Sequence, residues 1–276
     1  MFKGLTGLTS LNVINNLYLN TTKNVNLTDI HSMFENCSNL TSLTLTNLYT
    51  NKVTNMSSLF SGCTKLSSIN ISALNTTNVS NMEYMFKNCS NISQTIALTT
   101  LNTSNVTSMK EMFKGCSKIS SINISTFDTN LVQDMSSMFE GCSAMSTIIL
   151  MANSAQNSTS SVTNFSNMFK NCSNLTTINA RLFVTNSATN MEGFFYNCSK
   201  IEELDLRSFN TRNVTNMANM FYNCSSITKI QVSTDFVTSN VTSHSNMFYN
   251  CTKINGGSGT TFSLSHIDKS YAKLDE

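Results

Sequence analysis

The sequence is poor in charge. Asp, Glu, Lys and Arg make up 12% of its 276 residues, about half of the roughly 25% usual for soluble domains. The net charge is only +2. No block of Lys and Arg occurs, so the electrostatic footprint of a protein that binds nucleic acid or an anionic membrane is missing. We therefore expect no nucleic-acid partner.

Long apolar runs are also missing. No stretch of about 18 consecutive apolar residues occurs, which predicts that this segment does not insert into a membrane. The opening residues, MFKGLTGLTS, contain no hydrophobic signal region. These features fit either a cytosolic protein or a piece of a longer chain. We favour the second, because the sequence begins inside a repeat.

Residue clusters typical of catalytic or metal sites are not apparent. No CxxC pair or Cys/His cluster has the spacing of zinc ligands. The three histidines, His31, His244 and His266, lie in separate parts of the chain. No nucleophile–base–acid arrangement of the kind used in acyl transfer is visible. We therefore predict no enzymatic activity, no cofactor and no metal site.

What the sequence has in abundance is one hexapeptide, MFKNCS at 85–90, whose variants recur along the chain. A degenerate copy without cysteine, MFKGLT, opens the sequence. Nine copies, including the one at 85–90, contain one cysteine each, and these are all the cysteines of the chain: Cys37, Cys63, Cys89, Cys116, Cys142, Cys172, Cys198, Cys224 and Cys251. The steps between them are 26, 26, 27, 26, 30, 26, 26 and 27 residues. All but one fall in the range of leucine-rich repeats.

Each unit predicts a short helix, a strand and a turn. Apolar residues recur at helical spacing before the cysteine, as at Val79, Met82, Met85 and Phe86. This pattern predicts a helix of about two turns with one buried face. Gly or Asn directly before the cysteine fits a left-handed helix end. The alternation in Ile122–Ile124 predicts a strand after the cysteine.

No unit can bury its own Phe and Ile, so consecutive units must stack. Stacking places equivalent residues about 4.8 Å apart and predicts ladders of Phe, Met and Cys. The cysteines are expected to be buried, reduced and structural. The prediction is an α/β fold: a right-handed leucine-rich-repeat-like solenoid of about nine to ten repeats of about 26 residues. A parallel sheet forms one face and short helices form the other.

The repeats divide the chain into three parts. Residues 1–28 are a degenerate N-terminal repeat, 29–255 the repeat solenoid and 256–276 a C-terminal cap of the kind that solenoids need. The additional residues of the 30-residue step, within 151–162, are expected to form a surface loop.

The first candidate binding surface is a tyrosine strip. The residue two positions before the cysteine varies in the early copies and becomes Tyr196, Tyr222 and Tyr249 in the last three. Stacked, exposed tyrosines would form an aromatic strip, and tyrosine is enriched at binding hot spots. Duplication of repeats would also copy these tyrosines without any binding role.

The second candidate surface is a charged patch on the outward face of the strands. Its members are Glu203, Asp205 and Arg207, flanked by Glu202 and Arg212, in a chain otherwise poor in charge. Solenoids bind partners on extended surfaces of this kind. The alternative is a solvated face without a partner.

Two repeat units, 112–139 (MFKGCSKISSINISTFDTNLVQDMSSMF) and 204–230 (LDLRSFNTRNVTNMANMFYNCSSITKI), resemble BspA-like leucine-rich-repeat surface proteins. Leu5 in place of Cys and His244 in place of the usual core Met are local departures. The resemblance implies a cell-surface or extracellular location, with a signal peptide and an anchor that are not present in this chain. No catalytic residues belong to the family pattern.

The resemblance favours a non-enzymatic surface module for binding or adhesion. The expected partner is a protein or glycan on a host or neighbouring cell. The alternative is a structural spacer, or a surface-layer element that assembles by self-association.

Overall fold

The protein is a solenoid in which each repeat stacks on the next. The computed structural model describes residues 1–11, 27–45, 48–93, 96–150, 158–255, 263 and 267–269. One hydrophobic core runs through the described repeats, from Ile30 to Cys251. The leucine-rich-repeat-like solenoid predicted from the sequence is confirmed. Residues 151–157 of the loop expected within 151–162, and most of the expected cap at 256–276, lie outside the described residues.

Short strands form one face of the solenoid. They are β1 (Ser10–Leu11), β2 (Ser42–Thr44), β3 (Ser68–Asn70), β4 (Ser121–Asn123), β5 (Thr147–Ile149), β6 (Glu203–Asp205) and β7 (Lys229–Gln231). Pairing is parallel and joins equivalent repeat positions, in the orders β1-β2-β3, β4-β5 and β6-β7. The repeats after Cys89 and Cys172 contribute 3₁₀ helices at Leu98–Thr100 and Ala180–Leu182. Within the described residues, the predicted parallel face is therefore present in three pieces.

The short helix predicted before each cysteine is wrong. Residues 83–88 form consecutive turns, and Tyr84 and Asn88 have φ of 59° and 58°. Every described repeat has a positive φ at these two positions, five residues and one residue before its cysteine. A right-handed helix requires φ near −63°, so the backbone cannot continue as a helix past these residues. The Asn or Gly expected before the cysteine does adopt the left-handed conformation.

Backbone hydrogen bonds explain how these turns stack. The amides of Met85, Lys87 and Cys89 donate within their own repeat, each to the carbonyl three residues earlier. The amides of Tyr84, Phe86 and Asn88 donate instead to the next repeat, to Lys110, Met112 and Lys114. Along the turn, every second amide therefore closes the turn within its own repeat, and the amides between them join the turn to the next repeat. Parallel bridges add a second ladder eight residues before the cysteines, from Asp29 to Ser243.

Aromatic rings and thiols fill the core between these ladders. The phenylalanine three residues before each cysteine stacks on its equivalent in the next repeat, as Phe86 does on Phe113 with centroids 5.5 Å apart. All nine cysteines are buried and free. Each thiol donates to the carbonyl of the phenylalanine in the preceding repeat, for example Cys142 to Phe113 at 3.2 Å. The predicted Phe and Cys ladders are confirmed, and the thiols are hydrogen-bonded as well as apolar.

Candidate functional site

The tyrosine strip forms a continuous stack. The rings of Tyr196 and Tyr222 lie 4.6 Å apart at an interplanar angle of 2°. Those of Tyr222 and Tyr249 lie 4.9 Å apart at 14°. The turns place all three residues two positions before a cysteine, so their side chains leave equivalent backbone positions. The predicted stacking is confirmed; whether the strip binds a partner stays a prediction.

Stacking determines which parts of the tyrosines can contact a partner. Tyr222 has both ring faces covered by its neighbours. The second face of Tyr196 carries the ammonium of Lys170, 5.0 Å from the ring centroid. Among the described rings and cations, none covers the second face of Tyr249, which is 37% exposed. The strip therefore presents mainly ring edges and hydroxyl groups. Lys170 continues it by one repeat, and the sequence analysis did not include this lysine.

An asparagine ladder fixes the backbone beside the tyrosines. Asn197 donates through Nδ2 to Oδ1 of Asn171 at 3.0 Å, and Asn223 donates in the same way to Asn197 at 2.6 Å. Asn250 continues the ladder onto Asn223. Each of these asparagines follows the residue of the tyrosine position directly and has a positive φ. The ladder therefore holds Tyr196, Tyr222 and Tyr249 in one register.

Most earlier repeats place a charged residue at the tyrosine position, and several of these residues form ion pairs. Lys3 pairs with Glu35 at 2.7 Å. Lys114 pairs with Glu140 at 3.0 Å and with Glu111 at 3.5 Å. These pairs neutralise the charges at this position in the early repeats. The last four repeats, which place Lys170 and the three tyrosines there, therefore differ chemically from the earlier ones. This contrast makes the segment from Lys170 to Tyr249 the candidate site.

The charged patch lies on β6 and just after it. The carboxylate of Asp205 accepts two hydrogen bonds from the Arg207 guanidinium, at 2.9 and 2.7 Å. These bonds lower the pKa of Asp205 to about 2. Arg181 lies 3.8 Å from the same carboxylate, so Asp205 already interacts with two arginines. Glu203 is exposed at the other end of the strand.

No hydrogen bond, ion pair or ring contact of the described residues joins this patch to the tyrosines. The structure therefore groups the six candidate residues into two separate clusters. A binding role for Glu203, Asp205 and Arg207 stays a prediction.

Among the described residues, the cysteines and histidines form no joint metal site. Burial raises the pKa of the Cys63 thiol to about 12 and raises that of Cys116 well above its usual range. Such thiols are poor nucleophiles, because the thiolate is the reactive form. Within the described residues, no group of three or more His, Cys, Asp or Glu side chains could hold a metal ion.

A cavity of about 430 Å³ lies at the C-terminal end of the solenoid, between residues 242–246 and the pair Ile267 and Asp268. His244 borders it from a position where the other cysteine-containing repeats place Met, Phe or Ile. Its Nδ1 lies 3.9 Å from the Asp268 carboxylate. The amide of Phe248 donates to the Ile267 carbonyl. The Ile267 carbonyl thus takes the place that a carbonyl of the next repeat has elsewhere in the solenoid, and the cap at 256–276 stays a prediction.

Comparison with protein families gives a match over most of the chain. A family model described as "Mycoplasma protein of unknown function, DUF285" matches residues 1–99, 70–155, 95–177 and 146–262. Among curated proteins, none matches the chain. Of the helices in the described residues, none is long and apolar enough to cross a bilayer.

Solved leucine-rich-repeat structures are similar to the chain at low identity. A leucine-rich repeat protein from Bacteroides ovatus is 18% identical, with a TM-score of 0.38, over 83% of this chain and 69% of that one. A leucine-rich cell surface protein from Faecalibacterium prausnitzii is 17% identical, with a TM-score of 0.29, over 78% and 79%. The complex of TLR13 with ssRNA13 is 15% identical, with a TM-score of 0.39, over 87% and 37%.

Proposed function

The chain belongs to the family described as "Mycoplasma protein of unknown function, DUF285", and from this premise we propose that it is a non-enzymatic binding module displayed at a cell surface. The resemblance to BspA-like leucine-rich-repeat surface proteins is confirmed. The proposed partner is a protein or glycan on a host or neighbouring cell. The proposed contact surface is the tyrosine row, defined as Lys170, Tyr196, Tyr222 and Tyr249.

One observation carries this proposal: the tyrosine row is ordered without serving the core. Its rings stack at 4.6 and 4.9 Å on the outside of the turns, while the core directly beneath is filled by Phe195, Phe221 and Phe248. A tyrosine that is held in place loses little conformational entropy when a partner binds. An ordered aromatic surface of this kind supports a binding role.

Binding to immobilised surface components tests the proposal. We expect the purified chain to bind at least one of fibronectin, collagen, mucin or whole host cells in surface plasmon resonance or flow cytometry. Tyr222→Ala is expected to weaken that binding about tenfold or more, because truncated hot-spot tyrosines cost 2 kcal/mol or more. No binding by the wild-type chain, or equal binding by Tyr222→Ala, would contradict the proposal.

Two further variants locate the contact. Tyr49 is 63% exposed and lies outside the tyrosine row, so Tyr49→Ala should bind as the wild type does. Asp205→Ala removes the paired carboxylate of the charged patch. If Asp205→Ala weakens binding and Tyr222→Ala does not, the contact surface lies on β6 instead.

A further inference from the structure

We propose that the tyrosine row is self-complementary and pairs with the same row of a second copy of this chain, with the two rows antiparallel and Tyr222 near the two-fold axis. The proposal rests on the binding role given to the row above and names its partner. It would make the module homophilic, so that copies on neighbouring surfaces bind one another.

The first argument comes from the ring faces. Three rings have six faces, of which four are covered by tyrosine stacking and one by Lys170. Within the tyrosine row, a ligand that stacks on ring faces, such as a sugar ring, finds only the outer face of Tyr249 uncovered by the described rings and cations. Recognition along the whole row must therefore use ring edges and hydroxyl groups. This requirement disfavours partners that bind by aromatic stacking.

The second argument comes from spacing. The rings are nearly parallel and leave equivalent backbone positions, so the hydroxyls follow the spacing of the centroids, 4.6 and 4.9 Å. Both values are close to the spacing of adjacent strands, about 4.7–4.9 Å. An extended peptide lying along the row repeats its side chains every two residues, at about 6.8 Å, and falls out of step. Another solenoid lying alongside stays in step with every tyrosine.

The third argument singles out a second copy among possible solenoids. A tyrosine hydroxyl both donates and accepts a hydrogen bond, so a row of hydroxyls can pair with an identical row. A two-fold axis places the same patch on both partners. The net charge of +2 gives little repulsion between copies, and proteins near zero net charge associate more readily. With few residues in the row, we expect a weak, reversible dimer.

Analytical ultracentrifugation tests the pairing with the full chain as its own probe. Between about 1 µM and 1 mM, we expect the wild-type chain to dimerise in a concentration-dependent way. Tyr222→Phe keeps the ring stack and removes one hydroxyl at the centre of the row. It should weaken dimerisation about tenfold, the effect of losing one or two hydrogen bonds. Tyr49→Phe removes an exposed hydroxyl outside the row and should dimerise as the wild type does.

Two results would overturn the proposal. One is a wild-type chain that stays monomeric over the whole concentration range. The other is a dimer that Tyr222→Phe leaves as strong as before, since the contact then does not use the hydroxyl row. Circular dichroism melts of both variants confirm that they fold. If the wild type is monomeric but Tyr222→Ala still loses binding to immobilised surface components, only the homophilic pairing fails and the proposed function stands.

Discussion

Buried threonines join the repeats at the level of single residues. Thr185 donates through Oγ1 to the Asn210 carbonyl of the next repeat, and the same hydroxyl accepts the Asn210 amide, both at 2.9 Å. Thr159 bonds in the same way to Val184. Equivalent threonines follow the first seven cysteines by 13 or 14 residues, or by 17 in the case of Thr159, and they are almost completely buried. Their recurrence is visible in the sequence, but a threonine among many exposed ones carries no sign of burial.

Replacing Thr185 by valine should destabilise the protein strongly. Valine has nearly the same shape but leaves the partly buried amide and carbonyl of Asn210 without their partner. Each lost partner costs about 1–3 kcal/mol, so we expect a loss of about 2–3 kcal/mol in urea unfolding. Thr189→Val is the matched control. Thr189 is exposed and donates only to the Thr163 carbonyl, at 3.2 Å, so its change should stay within about 0.5 kcal/mol.

Two glycines at the same repeat position differ in what surrounds them. Gly115 and Gly141 have φ of 75° and 76°, so alanine at either one meets the same backbone penalty of about 1 kcal/mol. A Cβ on Gly115 would overlap Oδ1 of Asn88, whereas one on Gly141 finds atoms of Gly115 at 3.6 Å.

We therefore expect Gly115→Ala to destabilise the protein more than Gly141→Ala. The difference should be about 0.5–1.5 kcal/mol, the cost of forcing the Asn88 side chain from its rotamer. Paired thermal melts measure it. Equal losses would mean that Asn88 moves aside without cost.

Among the elements, the turn before each cysteine is the one whose backbone conformation the sequence could not reveal. Val79, Met82, Met85 and Phe86 do face the core, as their spacing predicted, but a helix and a stacked turn bury the same positions. The choice between a helix and a stacked turn depends on Tyr84 and Asn88, whose amides donate hydrogen bonds to carbonyls of the next repeat. Those partners exist only once the repeats are stacked, so a single unit cannot indicate them. Recurrent Asn, Ser and Gly at these positions was the available signal.

The strands were more predictable than the turns. Outward Ser121 and Asn123 and inward Ile122 lie on β4 as their alternation required, because a strand has period two whatever its neighbours are. The tyrosine stack was predictable for a similar reason, since equal positions in stacked repeats must lie one strand spacing apart. The contact of the Lys170 ammonium with the Tyr196 ring was not predictable. It joins two different residue types, whose side chains could have pointed elsewhere.

On the scale of the whole molecule, the nine buried thiols are expected to make the free energy of unfolding fall at alkaline pH. Burial raises the pKa of Cys63 and of Cys251 to about 12, whereas an unfolded thiol titrates near 8.5. Below pH 8.5 both states keep their protons and stability is unaffected. Above it the unfolded chain loses protons that the folded chain retains, so stability falls until the folded pKa is reached. Each buried thiol lowers the free energy of unfolding by about 1.4 kcal/mol per pH unit.

We therefore expect the urea midpoint to be flat from pH 7 to about 8.5 and to fall steeply towards pH 10. Urea titrations monitored by circular dichroism measure the slope, which reports the number of protons released on unfolding. Alkylation by iodoacetamide should stay slow in the folded protein over the same range, because the thiols are buried. A midpoint unchanged up to pH 10 would contradict the burial of the thiols.

The stack of repeats predicts how the molecule loses cooperativity. Phe139 is fully buried between Phe113 and Phe169, with centroids 5.8 and 5.4 Å away. Phe139→Ala should cost about 3–5 kcal/mol through lost burial and the cavity left behind. Because each repeat contacts only its neighbours, this loss weakens the coupling between the two halves of the solenoid. We expect the single unfolding transition to separate into two in calorimetry.

Phe2→Ala is the control, because it removes a partly buried ring with one stacking partner, Phe34. It should lower stability less and should not divide the transition. A single transition at an unchanged midpoint in Phe139→Ala would mean that the repeats are coupled by more than contacts between neighbours.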